Sequence, residues 1–236
     1  PGKSREHAHL DRLLEKVAVF SLDGTPAQDL PYHTEETEYG LKHLETLPDG
    51  TARVFVFIRN TRKSYLERTD DERVEQRTFD YDAFGNVIRE ITRGYGTESG
   101  TPVPEKEVLT EVSYATDPQN IIFKINRVVK RNTAGKIIME MRRYYDGLPD
   151  GQLSRGLMTR EEHLILPAGD FNVHYAGMDM VANGYFSQAD TDGNNAVFAL
   201  EIKKTYTPHG NVETEETGAG RVTKKIYDDD NLYVTE

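Results

Sequence analysis

The sequence predicts an all-β fold: an antiparallel meander of hairpins with little helix. The first observation is the stretch Thr78 to Glu90, which reads as strand, tight turn, strand, with Tyr81-Asp82 entering the turn and Gly85-Asn86 closing it. The second is that degenerate copies follow at Val129 to Met141, Ile202 to Thr214 and Lys225 to Val234. Repetition of one supersecondary unit outweighs any single motif in setting a fold. The third is that successive segments alternate with period two: Val108, Thr110, Val112 and Tyr114, then Ile121, Phe123 and Ile125, then Ile137, Met139 and Met141. Period-two segments separated by turn residues describe antiparallel pairing.

The turn residues follow from backbone geometry. A tight reversal often needs a residue at positive φ, which Gly adopts without steric cost and Asn tolerates. Gly85, Gly135 and Gly210 supply it, with Asn231 in the last copy. Asp82, Asn132, Thr207 and Asp228 each stand three residues earlier, where a short polar side chain can bond backbone two residues on. The predicted structural residues are therefore Tyr81, Asp82, Gly85, Asn86, Gly135, Tyr206, Gly210, Asn211, Tyr227 and Asp228. Each tyrosine is expected to lie along the sheet and stack over a cross-strand neighbour.

Taken in order, Asp11 to Lys16 has room for one helical turn, and Lys16 to Leu22 is the first strand. Tyr32 to Leu47 is a long polar strand that ends at Leu47-Pro48-Asp49-Gly50-Thr51. Arg53 to Ile58 is apolar on both faces, so a central, doubly covered strand is expected there. The Gly-, Thr- and Pro-rich stretch 94–104 reads as a loop, and Asn60 to Asp71 is the candidate boundary. Tyr144 to Arg160 breaks the alternation and reads as an ordered loop, after which Leu157 to Leu166 resumes as a strand. Pro167 to Asn195 is the least regular region, with a short helix or packed loop at Ala176 to Phe186. Val197 to Tyr206 and Val212 to Thr217 form a further hairpin, and Arg221 to Tyr227 opens the last.

Composition narrows the function classes. Of 236 residues, 36% are hydrophobic and 29% charged, which implies a thin core and much wetted sheet. The net charge of −11 argues against nucleic-acid binding, which draws on a basic patch. The basic pairs Arg142-Arg143, Lys203-Lys204 and Lys224-Lys225 read as solvated strand faces. With no Cys, disulfides and thiolate chemistry are excluded. No apolar run approaches the ~20 residues of a membrane-spanning helix, and no signal peptide is visible. The start at Pro1-Gly2, and an end that enters a repeat without finishing it, read as a piece of a longer chain.

Candidate chemistry is sparse. His7 and His9 lack a third metal ligand nearby and read as a polar lead-in. Glu35, Glu36 and Glu38 read as a wetted strand face, and His163 as structural. Asp190, Asp192 and Asn194 place oxygen atoms at alternate positions like half a calcium loop, without the closing bidentate Glu; a polar turn is the stronger reading. No cofactor and no catalytic residue are assigned. An adhesion or carbohydrate-binding module and a two-carboxylate hydrolase are the competing functions. Among 40 acidic residues, though, a suitable pair can always be found.

Tyr81-Asp82-Ala83-Phe84-Gly85-Asn86-Val87 resembles the YD repeat of Rhs proteins, teneurins and insecticidal toxin complexes. The loop Tyr145-Asp146-Gly147-Leu148-Pro149-Asp150-Gly151-Gln152-Leu153-Ser154-Arg155-Gly156-Leu157-Met158-Thr159-Arg160 is similar to a segment of the B component of Tc toxins and of SpvB-type virulence proteins. Asn183-Gly184-Tyr185-Phe186, then a strand, then Tyr206 to Val212, keep that family's order of parts. The resemblance covers most of Asp71 to Glu236. It implies a strip of sheet spiralling into a hollow shell, secreted as part of a larger toxin, that encloses a toxic C-terminal polypeptide. The implied partners are that polypeptide, the rest of the same chain and other toxin components, with no nucleic acid and no membrane contact. Residues 1–236 then form one fragment of the shell, with 1–70 either in the same sheet or a separate β subregion. The docking propeller is missing, and the family's Asp-Pro-x-Gly cleavage region is not matched, since Asp117-Pro118 is followed by Gln119-Asn120.

Overall fold

The computed structural model describes residues 13–20, 24, 30–66, 73–98, 101–117, 122–228, 230 and 234–235, with 95–98, 101–106 and 122 through their backbone alone. Thirteen strands follow in order: β1 (Lys16–Val19), β2 (His33–Thr46), β3 (Ala52–Tyr65), β4 (Arg73–Tyr81), β5 (Val87–Glu98), β6 (Thr101–Asp117), β7 (Ile122–Arg131), β8 (Ile137–Tyr145), β9 (Met158–Pro167), β10 (Tyr185–Ala189), β11 (Asn195–Tyr206), β12 (Val212–Thr217) and β13 (Val222–Lys224). One helix, α1 (Ala168–His174), and a 3-10 turn (Val181–Asn183) stand between β9 and β10. Neighbours in sequence are neighbours in the sheet, except that β11 pairs with β9 on one edge and with β10 and β12 on the other. The fold is the all-β antiparallel meander that the alternation predicts, and its strand order does not close.

One turn recurs six times. It opens at Leu47, Asp82, Asn132, Asp190, Thr207 and Thr217. In each, the opening residue's N–H donates to the carbonyl four residues on, and a Gly three residues on donates back to the opening carbonyl. Every such Gly has positive φ, from 75° at Gly220 to 92° at Gly210. This is the hairpin in which a type I turn is followed by a left-handed residue that forms a bulge. The opening side chain locks four of the six: Asp82 Oδ1 accepts from Phe84 N and Asn86 N, Asn132 Oδ1 from Ala134 N and Lys136 N, Asp190 Oδ1 from Asp192 N and Asn194 N, and Thr207 Oγ1 from Asn211 N; in the Leu47 turn Asp49 Oδ1 accepts from Thr51 N.

The tyrosines do something other than the stacking expected of them. Among the described residues five hydroxyls donate to a carbonyl on, or just ahead of, the preceding strand of the sheet: Tyr39 to Leu14, Tyr81 to Ile58, Tyr145 to Ile125, Tyr206 to Met158 and Tyr227 to Val212, at 2.6–3.2 Å. The geometry is the same each time. The final ladder pairs are Lys16–Glu36, Asn60–Thr78, Arg127–Arg142, Arg160–Lys203 and Thr214–Lys224. Each tyrosine lies three residues beyond its pair, and each accepting carbonyl two residues beyond on the partner strand. The phenol therefore bonds a carbonyl where the backbone ladder stops. Burial pushes the Tyr81, Tyr145 and Tyr206 hydroxyls above their ordinary range, which keeps them protonated donors. Tyr81 does meet rings across the strand pair, but tilted to Phe57 at 5.3 Å and edge-on to Phe55 at 6.1 Å rather than stacked.

The chain divides into two compact units, residues 1–110 with 132–136, and residues 111–131 with 137–236. In the first, β2, β3 and β4 form a wide ladder, and no hydrophobic residue described there is buried. Arg53 to Ile58 is central in strand order but half-exposed on both faces, so the doubly covered expectation fails: a strand is buried only where a second layer lies over it. Gly40 lies opposite Phe57, whose ring occupies the space a side chain would fill. Glu36 and Glu38 form exposed ion pairs with Lys16 and Arg59.

The second unit holds every buried hydrophobic residue described: Ala115, Val129, Ile137, Tyr145, Leu153, Phe171, Ala196, Val197 and Phe198. Helix α1 is anchored there by Phe171, whose ring meets Tyr175 at 4.8 Å and Tyr185 at 5.5 Å. Asp170 lies in its first turn, where an acidic residue is favourable, and Pro167 stands at the N-cap without a side-chain cap bond. Strands β10 and β12 meet end to end along β11, where Gly184 and Gly218 bring their backbones against each other and against Leu200. A Cβ at either glycine would collide with backbone oxygen.

Other expectations are corrected. Residues 13–15 are not helical, and Lys16 opens β1 because it pairs with Glu36. The stretch 94–104 is mostly strand, since Gly94 keeps its place in the ladder opposite Glu75. Asn60 to Tyr65 continues β3. The stretch 176–186, expected as a short helix or a packed loop, is mostly a loop with the 3-10 turn Val181–Asn183, and the α-helix lies ahead of it at 168–174. Arg142 is buried, so the first basic pair is not a solvated face. His7, His9 and Asn231 fall outside the described residues.

Removing the Tyr81 or Tyr206 hydroxyl while keeping the ring tests the ladder-end bond. Tyr81→Phe and Tyr206→Phe are each expected to lower stability by about 1 kcal/mol in urea unfolding. A double variant should show additive loss, since the two bonds share no partner.

Candidate functional site

The best-defined local arrangement is the loop of residues 146–157 between β8 and β9. It begins at Asp146, the one described non-glycine residue with positive φ, at 55°. That conformation turns the carboxylate into the loop. Its Oδ2 accepts from the backbone N–H of Ser154, Arg155 and Gly156 at 2.8–2.9 Å, and its Oδ1 from Leu157 N at 3.0 Å. Burial works to raise the Asp146 pKa, but those four donors outweigh it and hold the carboxyl below its usual range. Four converging amides make an anion nest, filled here by the chain's own side chain.

The loop is tied down along its length. Leu153 is buried with Ala115 and Tyr145, and Met158 packs beside them. Asn126 Nδ2 donates to Asp150 at 2.7 Å, and Arg127 pairs with the same carboxylate. Thr116 N donates to Gly151 O, and Arg155 reaches Pro208 O in the Thr207 turn at 3.1 Å. Tyr145 below and Tyr206 beside it are both ladder-end tyrosines, so the loop sits where two strand pairs run out.

Next to it lies a cluster of buried charge. Glu140 is 0% exposed and accepts from Arg142 Nε at 2.6 Å, from Thr191 Oγ1 at 2.9 Å and from Thr191 N at 3.0 Å. Arg142 also donates to Ala189 O at 2.7 Å and lies 4.5 Å from the Phe198 ring centre. Glu162, 1% exposed, accepts from Tyr144 Oη at 3.2 Å and lies 2.9 Å from Arg160 Nε. These groups bind one another and fix β8, β9 and β10 in register.

The residues expected to matter fall as follows. Tyr81, Asp82, Gly85 and Asn86 form one turn, with Asn86 Nδ2 bonded to Asp82 Oδ2 at 2.9 Å. Gly135 sits in the Asn132 turn, and Gly210 and Asn211 follow Tyr206 in the Thr207 turn. Tyr227 takes the ladder-end position, with Asp228 after it. Asp190 and Asn194 form the polar turn of the stronger reading, the same turn as Asp82 and Asn86. Asp192 points elsewhere, bound by both Nη atoms of Arg131 at 2.7 Å. No group of three or more potential metal ligands gathers among the described residues. His163 bonds Glu161 at 2.9 Å, and Glu161 bonds Arg143. Tyr39, Tyr145 and the Asp190 and Thr217 turns were missed as repeat members. Asp190 to Asn194 repeats the Asp-x-x-Gly-Asn frame of Asp82 to Asn86, which was the available signal.

No protein-family model matches the sequence, and no curated protein matches it. Solved structures do. A crystal structure of TcdB2-TccC3-Cdc42 superposes with a TM-score of 0.78 at 11% identity, over 94% of this chain and 14% of that one. The Photorhabdus luminescens Tc holotoxin pore, with a TccC3 point mutation, gives 0.76 at 11% identity over 94% and 14%. TcdB2-TccC3 without its hypervariable C-terminal region gives 0.71 at 12% identity over 94% and 15%. The chain thus has the fold of a Tc toxin segment and spans about one seventh of the length of the chains it matches.

Asp146→Asn is expected to lower stability by about 1–3 kcal/mol, because an amide cannot accept equally at both former oxygens. Hydrogen exchange in residues 154–157 should accelerate in that variant. The native carboxylate's contribution is present above the ordinary value of 3.8 and is lost as pH falls through the lower folded value. The wild-type chain should therefore lose stability on that acid limb, and Asp146→Asn should flatten the loss.

Proposed function

We propose that this chain is a structural segment of a bacterial toxin-complex shell of the Tc and Rhs kind. It is built from YD-type repeats, belongs to a secreted toxin, and helps enclose a toxic polypeptide for delivery. The observation that carries this reading is the likeness to TcdB2-TccC3 chains over 94% of the residues. The polar inventory supports it: the repeated Tyr, Asp, Asn and Gly residues are consumed in closing turns and ladder ends. The segment performs no chemistry of its own in this reading. Its partners are the rest of its own chain, the other toxin components and the enclosed polypeptide. In this reading neither nucleic acid nor membrane is a partner of this segment.

The test is to purify the intact protein that carries this sequence, image it, and digest it with protease before and after unfolding. The expected result is a hollow particle and a polypeptide that resists digestion until the shell is opened. A solid particle, or a digest with no protected polypeptide beyond the β-sheet itself, would overturn the proposal.

A further inference from the structure

The second unit buries two carboxylates against one guanidinium. Glu140 and Glu162 are 0% and 1% exposed, and Arg142 is 6% exposed. Arg142 spends its Nε and Nη2 on Glu140 and on Ala189 O. The cation nearest Glu162 along its own strand is Arg160, whose side chain is 43% exposed and lies 4.1 Å from the Tyr144 ring centre. An ion pair with a half-solvated partner offsets little of the cost of burying a carboxylate.

We propose that Glu162 is a proton-binding site: it takes up a proton in mild acid, leaves Glu140 and Arg142 as a one-to-one buried pair, and tightens the second unit. Every element packed around it fits that role. From β8 it faces Arg142, its ladder partner, and the Tyr144 hydroxyl. From β9 it has Arg160, while Glu161 and His163 fall on the opposite face by strand alternation. From β10 the Gln188 side chain bonds it, and from β11 its ladder partner is the apolar Leu200. Burial pushes the Glu162 carboxyl up, and the attraction of Arg160 and Arg142 and the bonds from Tyr144 and Gln188 only partly oppose this. The sign follows from linkage. A carboxyl with a raised folded value binds its proton more tightly in the native state, so stability falls as pH rises through that value. This site does not depend on the toxin-shell reading.

The test uses the whole 236-residue chain. Carboxyl-carbon NMR would follow Glu162 from about pH 8 to about pH 4, and thermal unfolding would compare wild type with Glu162→Gln over the same range. The expected results are a Glu162 midpoint above the ordinary glutamate range, and a wild-type Tm that gains a few degrees relative to Glu162→Gln on acidification. A midpoint at or below that range, or two Tm curves that stay parallel, would overturn the proposal. If Glu162→Gln fails to fold, the wild-type titration decides alone.

Discussion

A backbone carbonyl at the end of a ladder must find a donor, or lose free energy comparable to a missing hydrogen bond. In this protein the donor is a tyrosine. Five times among the described residues a ladder stops and a phenol three residues past its last pair donates to the carbonyl two residues past that pair on the other segment. Tyrosine suits the task because its ring is rigid and apolar while its tip is polar. The ring covers the gap between the diverging strands, and the hydroxyl ends it. Strand length, turn position and the placing of the 146–157 loop all follow from where those ladders stop.

The two units solve the burial problem differently. The first keeps a wide ladder with both faces half-wetted and relies on backbone pairing, exposed ion pairs and the Phe55, Phe57 and Tyr81 rings. The second has a true interior, and that interior includes charge. Glu140, Arg142 and Glu162 tie three strands and the Asp190 turn together. Such a cluster contributes modestly to net stability, yet it is costly to break, so it discriminates against slipped registers.

The chain shares its fold with Tc toxin chains at 11% identity. Among the described residues the six turns share a left-handed glycine, four are capped by the opening side chain, and the two at Asp82 and Thr207 also follow a ladder-end tyrosine. The residues between are constrained only to alternate. A sheet made this way can keep its path while most of its sequence changes. The same economy explains why Asp190, Asp192 and Asn194 imitate an ion site: oxygen-bearing residues at alternate positions serve a capped turn as well as a cation.

The strands and turns were legible in the sequence because both depend on local chemistry. Alternation marks a pleated strand wherever it occurs, and Asp82 with Gly85 specifies a turn from within five residues. The sequence by itself determined the meander, the hairpins at Asp82, Asn132 and Thr207, and the presence of an ordered loop within Tyr144 to Arg160, which the structure narrows to residues 146–157. Tertiary structure alone decided which face of each strand is covered. Arg53 to Ile58 is apolar yet wetted, and Arg142 is charged yet buried, because burial depends on what lies above a strand and not on the strand. It also decided that Asp146 gathers four amides from residues 8 to 11 positions away, and that Tyr39 and Tyr145 share the task of Tyr81. Those bonds join segments distant in sequence, and no local pattern encodes them.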